Sequence, residues 1–196
     1  MHVCATDPYA WPYDGSLCPH TTALVVCGAQ RRLVDTAPDG AEVLDRLAVL
    51  AERLRPLGVR VVWVRHGTRT ARRRPGLLPV RATAGWQLAV TPPAGDTVVD
   101  AGGWDGSYAG ELDDVLRAGG IRAVVLGGIA SELTVDSTVR TLNDRGHECL
   151  VLTDGCAPLD DELGARAHHS LTMSGGIFGA LGTTDHLVAA LTEEQP

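Results

Sequence analysis

The chain has 196 residues, 44% of them hydrophobic and 21% charged, with a net charge of −7. That length favours one domain with a substantial core, and that charge excludes a general nucleic-acid binder, which would carry a basic face. All 17 basic residues are Arg, so chemistry that requires a lysine ammonium is excluded too.

In chain order, residues 1–21 interleave Pro and Gly with aromatics and read as an irregular arm laid on a single domain spanning 22–196. The arm lacks the charged and apolar regions of a secretory signal, and no apolar run is long enough to span a bilayer. Ala23 to Cys27 is a continuous apolar run of the kind found in buried parallel strands. A helix is expected over about 40–55, with Val43, Leu44, Leu47, Leu50, Ala51 and Leu54 at helical spacing and Pro56 and Gly58 as stops.

Val59 to Val64 is the next strand, followed by a long Arg-, Pro- and Gly-rich loop region over 67–96. Its basic cluster, Arg72 to Arg74, reads as a solvated loop with an anion contact as the alternative. Thr97 to Asp100 is a short strand, 110–118 a helix, and Ile121 to Leu126 a buried strand. A helix over about 132–145 follows, with Ser131 as its N-cap and Glu132 as a favourable first-turn charge. Cys149 to Leu152 is a strand, and 159–173 and 184–192 are helices. Alternating strands and helices imply a three-layer αβα fold around a mostly parallel, Rossmann-like sheet of about six strands. Ligands bind such sheets at the carboxyl ends of the strands, which places 27–30, 65–68, 100–108 and 128–134 around one crevice.

The five Cys, at 4, 18, 27, 149 and 156, are odd in number and form no metal-spaced pair, which fits free thiols in a reducing cytoplasm. His168 and His169 are adjacent on a helix, so they do not converge on one ion, and no metal or cofactor is expected.

Four segments carry a family likeness: "TALVVCGAQ", the pair Gly85-Trp86, "AGDTVVDAGGWDGSYAGELDDVLRAGGI" and "VVLGGIASELTVDSTVRTLNDRGHECLVLTDGCA". With the arm "DPYAWPYDG" and the tail "MSGGIFGAL", the chain resembles the isochorismatase-like cysteine hydrolases, and within them the biuret hydrolase and ureidoacrylate amidohydrolase type. The resemblance implies a triad. A Cys at the start of the helix after the central strand attacks an amide or urea carbonyl, an Asp ending the first strand moves the proton, and a Lys follows the third strand. It also implies a cis peptide, here at Ile129–Ala130. By the same comparison the Asp position is Gly28, the Lys position Ala101 and the Cys position Thr134, so the triad is replaced.

His66, at the end of the second strand, is the surviving acid/base candidate, with a hydrogen-bonded loop His as the alternative. Asp105 and Tyr108, with Ser107 between them, follow the Lys position and complete a candidate catalytic set. Thr134 is either a ligand-facing hydroxyl or a packed residue. Gln30, Trp86, Trp104, Ser107 and Leu133 are expected to line or support the pocket. Cys27 should face away from the Asp position, because strand side chains alternate. Three readings stay open: a repurposed enzyme doing non-covalent chemistry such as cyclisation, dehydration, isomerisation or acid-assisted hydrolysis; a non-catalytic pseudoenzyme; and a residual amidohydrolase acting through Thr134 or Cys27. The expected partner is a small polar organic ligand, with no nucleic acid and no membrane, and family members self-associate, which implies a homo-oligomer (dimer or tetramer).

Overall fold

A computed structural model describes residues 3–69 and 76–192. Arg72 to Arg74 lie outside the described residues. Six strands form one wholly parallel sheet: β1 (Thr22–Cys27), β2 (Arg60–His66), β3 (Thr97–Ala101), β4 (Ala123–Ile129), β5 (Glu148–Ala157) and β6 (Ala180–Gly182). Their spatial order is β3-β2-β1-β4-β5-β6. The helices are α1 (Arg31–Val34), α2 (Gly40–Leu54), α3 (Leu112–Ala118), α4 (Thr134–Asp144), α5 (Asp161–Gly176) and α6 (Thr184–Thr192).

The central strands are buried on both sides, which is why they read as unbroken apolar runs: every residue of β1 and of β4 is buried. Successive side chains alternate faces. Leu24 and Val26 meet the helical layer of α2 and α6, whereas Ala23, Val25 and Cys27 meet α3, α4 and α5. The apolar stripe of α2 lies against the sheet. Leu47, fully buried in that stripe, sits so close to Gly127 and Gly155 that a Cβ at either would come within 2.8 or 3.1 Å of its Cδ2. Burying one such Leu contributes roughly 1.5–3 kcal/mol. The helix ends through Pro56 in a 3-10 turn, and Gly58 takes φ 93°.

The arm is stapled to the far edge. Asp7 and Leu181 exchange backbone hydrogen bonds of 2.9 and 2.7 Å in an antiparallel bridge to β6, while Trp11 and Leu17 insert into the core. At the other edge, Asp96 receives two hydrogen bonds from Arg55 (2.7 and 2.8 Å) and one from Trp63 Nε1 (2.7 Å), fixing the approach to β3.

Two short elements, α1 and β6, escape sequence reading because four and three residues are too few for a period to register. β5 runs on to Ala157, past the expected Leu152, because an irregularity at Leu126–Gly128 lets pairing with β4 resume at Gly128–Cys156.

Candidate functional site

From β1 the chain steps outward to β2 and β3, then returns to β4 on the other flank of β1. The carboxyl ends of β1 and β4 therefore form the topological switch point where ligands bind in such sheets. Gly28 follows β1 there, with φ 68°. A Cβ at Gly28 would stand 2.5 Å from the Ile129 carbonyl oxygen, 3.1 Å from Leu33 Cδ1 and 3.2 Å from Thr134 Cγ2. The space a side chain would need is filled, and the left-handed backbone disfavours any residue but Gly.

Thr134 opens α4 and is fully buried. Its hydroxyl donates back to the Ile129 carbonyl at 2.8 Å, with the Ala130 carbonyl at 3.2 Å. One turn later Thr138 Oγ1 donates to the Thr134 carbonyl at 2.6 Å and accepts from Gly106 N–H at 2.8 Å, tying α4 to the loop after β3. Thr138 is a site residue the sequence reading missed. Its i+4 spacing from Thr134, on the same helix face, is the signal that could have found it.

Two local expectations fail here. Among the described residues the cis peptides are Asp7–Pro8 and Trp11–Pro12, so Ile129–Ala130 is trans, and Ala130 instead adopts φ 55°. That left-handed turn delays the helix to Thr134, so Ser131 and Glu132 do not start it. Ser131 is buried with its N–H on the Ala157 carbonyl (3.3 Å), and the Glu132 carboxylate accepts from Leu159 N–H at 3.0 Å, pinning the segment after β5.

Ala101 ends β3 beside His66 of β2, fully buried, and its carbonyl accepts from Gly67 N–H at 3.1 Å. The Gln30 side chain splints this rim. Its Oε1 accepts from His66 N–H at 2.7 Å, and its Nε2 donates to the carbonyls of His66 and Trp86 at 2.9 and 3.0 Å. Gln30 thus orients its neighbours and spends both amide hydrogens doing so. His66 is fully buried, with Nδ1 3.1 Å from the Gly103 carbonyl. A carbonyl only accepts, so Nδ1 carries the proton and Nε2 presents a lone pair. Nε2 is buried and has no protein partner. Burial holds the ring's pKa down at about 4, so the imidazole is neutral near pH 7.

Two more buried polar atoms on these segments lack a protein partner: Trp86 Nε1 and Ser107 Oγ. Gly67 makes room for the indole, since a Cβ there would lie 3.0 Å from Trp86 Nε1. The outer face of the ring carries the Arg65 guanidinium at 3.9 Å, itself paired with Asp100 at 2.7 Å. Trp104 packs, partly buried, against the core. Asp105 turns toward α4, accepting from Ser107 N–H at 2.8 Å and from Thr141 Oγ1 at 3.0 Å. Tyr108 lies 62% exposed, its ring against Gly102 and Gly103. Leu133 is half-buried at the entrance to α4. His66, Trp86 and Ser107 thus each carry a buried polar atom without a protein partner, with Asp105 bound to α4 and Tyr108 at the surface. Cys27 points to the α4 face, 3.9 Å from Thr138 Oγ1, and burial pushes its thiol up to about 12.

A parallel αβα sheet whose strand order reverses between β1 and β4 defines the class of this molecule. The chain belongs to the isochorismatase family: the Isochorismatase domain model matches residues 22–185. A ureidoacrylate amidohydrolase of Methylorubrum extorquens is 33% identical over 138 residues, covering 57% of this chain and 56% of that protein. A streptothricin hydrolase of Streptomyces noursei is 32% identical over 143 residues, covering 70% of this chain and 50% of that protein. The chain therefore spans about half the length of these curated relatives. Among solved structures, a cysteine hydrolase from Pseudomonas syringae pv. phaseolicola superposes with a TM-score of 0.81 at 19% identity, covering 97% of both chains, which shows the shared fold. An isochorismatase family protein from Burkholderia thailandensis superposes with a TM-score of 0.74 at 26% identity, covering 90% of this chain and 97% of that one.

Proposed function

We propose that this protein is a non-hydrolytic member of its family that binds a small polar organic molecule in the crevice and forms no covalent intermediate with it. The observation that carries this reading is the closure around Gly28. A side chain at Gly28 has no room there, and the Thr134 hydroxyl, at the position the family resemblance assigns to the nucleophile, is turned back onto the Ile129 carbonyl. A threonine hydroxyl is a weak nucleophile without an adjacent base, and the Cys27 thiol, held near 12, stays protonated at neutral pH. The buried polar atoms of His66, Trp86 and Ser107 supply one acceptor, one donor and one group of either kind to a ligand.

The test is incubation of the purified protein with biuret, ureidoacrylate and an electrophilic acyl-trapping reagent. The expected result is no ammonia release and an unchanged intact mass. Steady turnover, or a mass increase mapped to Thr134 or Cys27, overturns the reading.

One observation favours a second reading, an enzyme with non-covalent acid/base chemistry. The neutral His66 imidazole keeps a buried lone pair free at Nε2, which can accept a hydrogen bond or proton from a bound group, as a weak base because burial holds its pKa at about 4. That reading requires turnover of some candidate substrate that His66→Phe abolishes while the protein stays folded.

A further inference from the structure

A second cleft lies at the opposite end of the sheet, by the amino end of β5. Its cavity measures about 440 Å³ and is walled by Tyr9 and Tyr13 from the arm, Asn143, Gly146, His147 and Glu148 around the end of α4, and Ser174 to Ile177 around the end of α5. That volume falls in the range of small-molecule sites, ~300–1,000 Å³. The glycines keep it open: a Cβ at Gly146 or at Gly175 would meet nothing within 4 Å.

The walls include two aromatic rings and one carboxylate. Tyr9 and Tyr13 form an edge-to-face pair with centroids 5.6 Å apart, and Tyr13 is 78% exposed. An aromatic face carries negative quadrupole and attracts cations. Glu148 opens β5, and the one hydrogen bond to its carboxylate among the described residues is a long one, 3.4 Å, from Tyr13 N–H. No described cation pairs with it. Two helices, α4 and α5, end at the cleft, and a helix C-terminus is the negative end of its dipole. Burial lowers the pKa of His147, so that ring adds no positive charge at neutral pH. The guanidiniums nearest it, Arg145 and Arg117, are already paired with Asp113 and Asp114.

We propose that this cleft binds small organic cations of the alkylammonium or guanidinium class, with Glu148 as counter-ion and the tyrosine rings as the apolar wall. The site is separate from the crevice at the other ends of the strands, so it stands or falls independently of the function proposed above.

The probe is tetramethylammonium chloride, titrated calorimetrically into the full chain against sodium chloride of equal ionic strength. Saturable binding is expected for tetramethylammonium alone. Glu148→Gln is expected to weaken it by ~10-fold or more, as removal of a charged partner does. Tyr13→Ala, at an exposed position, should weaken it by ~2–5-fold. Circular dichroism of both variants is expected to match the parent. Heats indistinguishable from those of sodium chloride, or equal binding by Glu148→Gln, overturn the proposal. So does light scattering in which Tyr13→Ala dissociates an oligomer, because a second copy of the chain would then cover the cleft.

Discussion

The two halves of the crevice handle their polar atoms in opposite ways. Between β1 and β4, space and hydrogen bonds are both used up: Gly28 is hemmed in by Ile129, Leu33 and Thr134, and the Thr134 and Thr138 hydroxyls are spent on backbone groups. Along β2 and β3, His66 Nε2, Trp86 Nε1 and Ser107 Oγ are buried without a protein partner. Buried polar atoms are normally paired, and each unpaired one costs about 1–3 kcal/mol. Under the function proposed above, ligand recognition would fall to the unpaired atoms of His66, Trp86 and Ser107 rather than to the segment between β1 and β4.

The sharpest way to break this comparison is to rebuild the closed half. Gly28→Asp forces a side chain into a left-handed, filled position, and is expected to cost more than about 3 kcal/mol in urea denaturation. The triple variant Gly28→Asp, Ala101→Lys, Thr134→Cys is expected to release no ammonia from biuret. Recovery of activity with parental stability would show that the half is not closed.

The open half is probed by pH. The folded pKa of His66, about 4, lies below its ordinary 6.5, so the unfolded chain binds the proton more tightly. Stability from this group is fully present above about 6.5 and drains away as pH falls toward about 4, on the order of 3 kcal/mol in total. The parent's stability advantage over His66→Asn should shrink across that window. An advantage independent of pH would place the ring in solvent.

A smaller effect is expected from Thr138→Val, which leaves Gly106 N–H buried without its acceptor, at about 1–3 kcal/mol. The change should leave any ligand binding at His66 intact; loss of binding would couple the two halves. No change in stability is involved in the last expectation. In the folded protein only the half-exposed Cys18 should react promptly with a thiol reagent, while Cys4, Cys27 and Cys156 are held up at about 11, 12 and 12 by burial. Fast modification of Cys27 would put a reactive thiol back at the site.

The sheet was legible wherever a strand is buried on both faces, since β1, β2 and β4 announce themselves as apolar runs. Cys27 shares the α3, α4 and α5 face with Ala23 and Val25, as alternation along β1 requires. The site was legible as a set of positions and not as an arrangement. Nothing local in the sequence says that His66 is fully enclosed while Tyr108 stands 62% exposed, because both depend on how the loop after β3 folds back onto α4 through Thr138 and Asp105. The start of α4 was misplaced for a similar reason. Ser131 has the residue type of a cap, but the left-handed Ala130 rotates it out of that role.

The antiparallel bridge between Asp7 and Leu181 has a consequence for solubility. β6 is the outermost strand on its side of the sheet, and an unclaimed outer strand offers its amides to any other chain. By occupying Leu181's N–H and C=O, the arm acts as a guard against strand-to-strand polymerisation. Deleting residues 1–16 should therefore promote self-association through that margin of the molecule, in addition to removing the packing of Trp11.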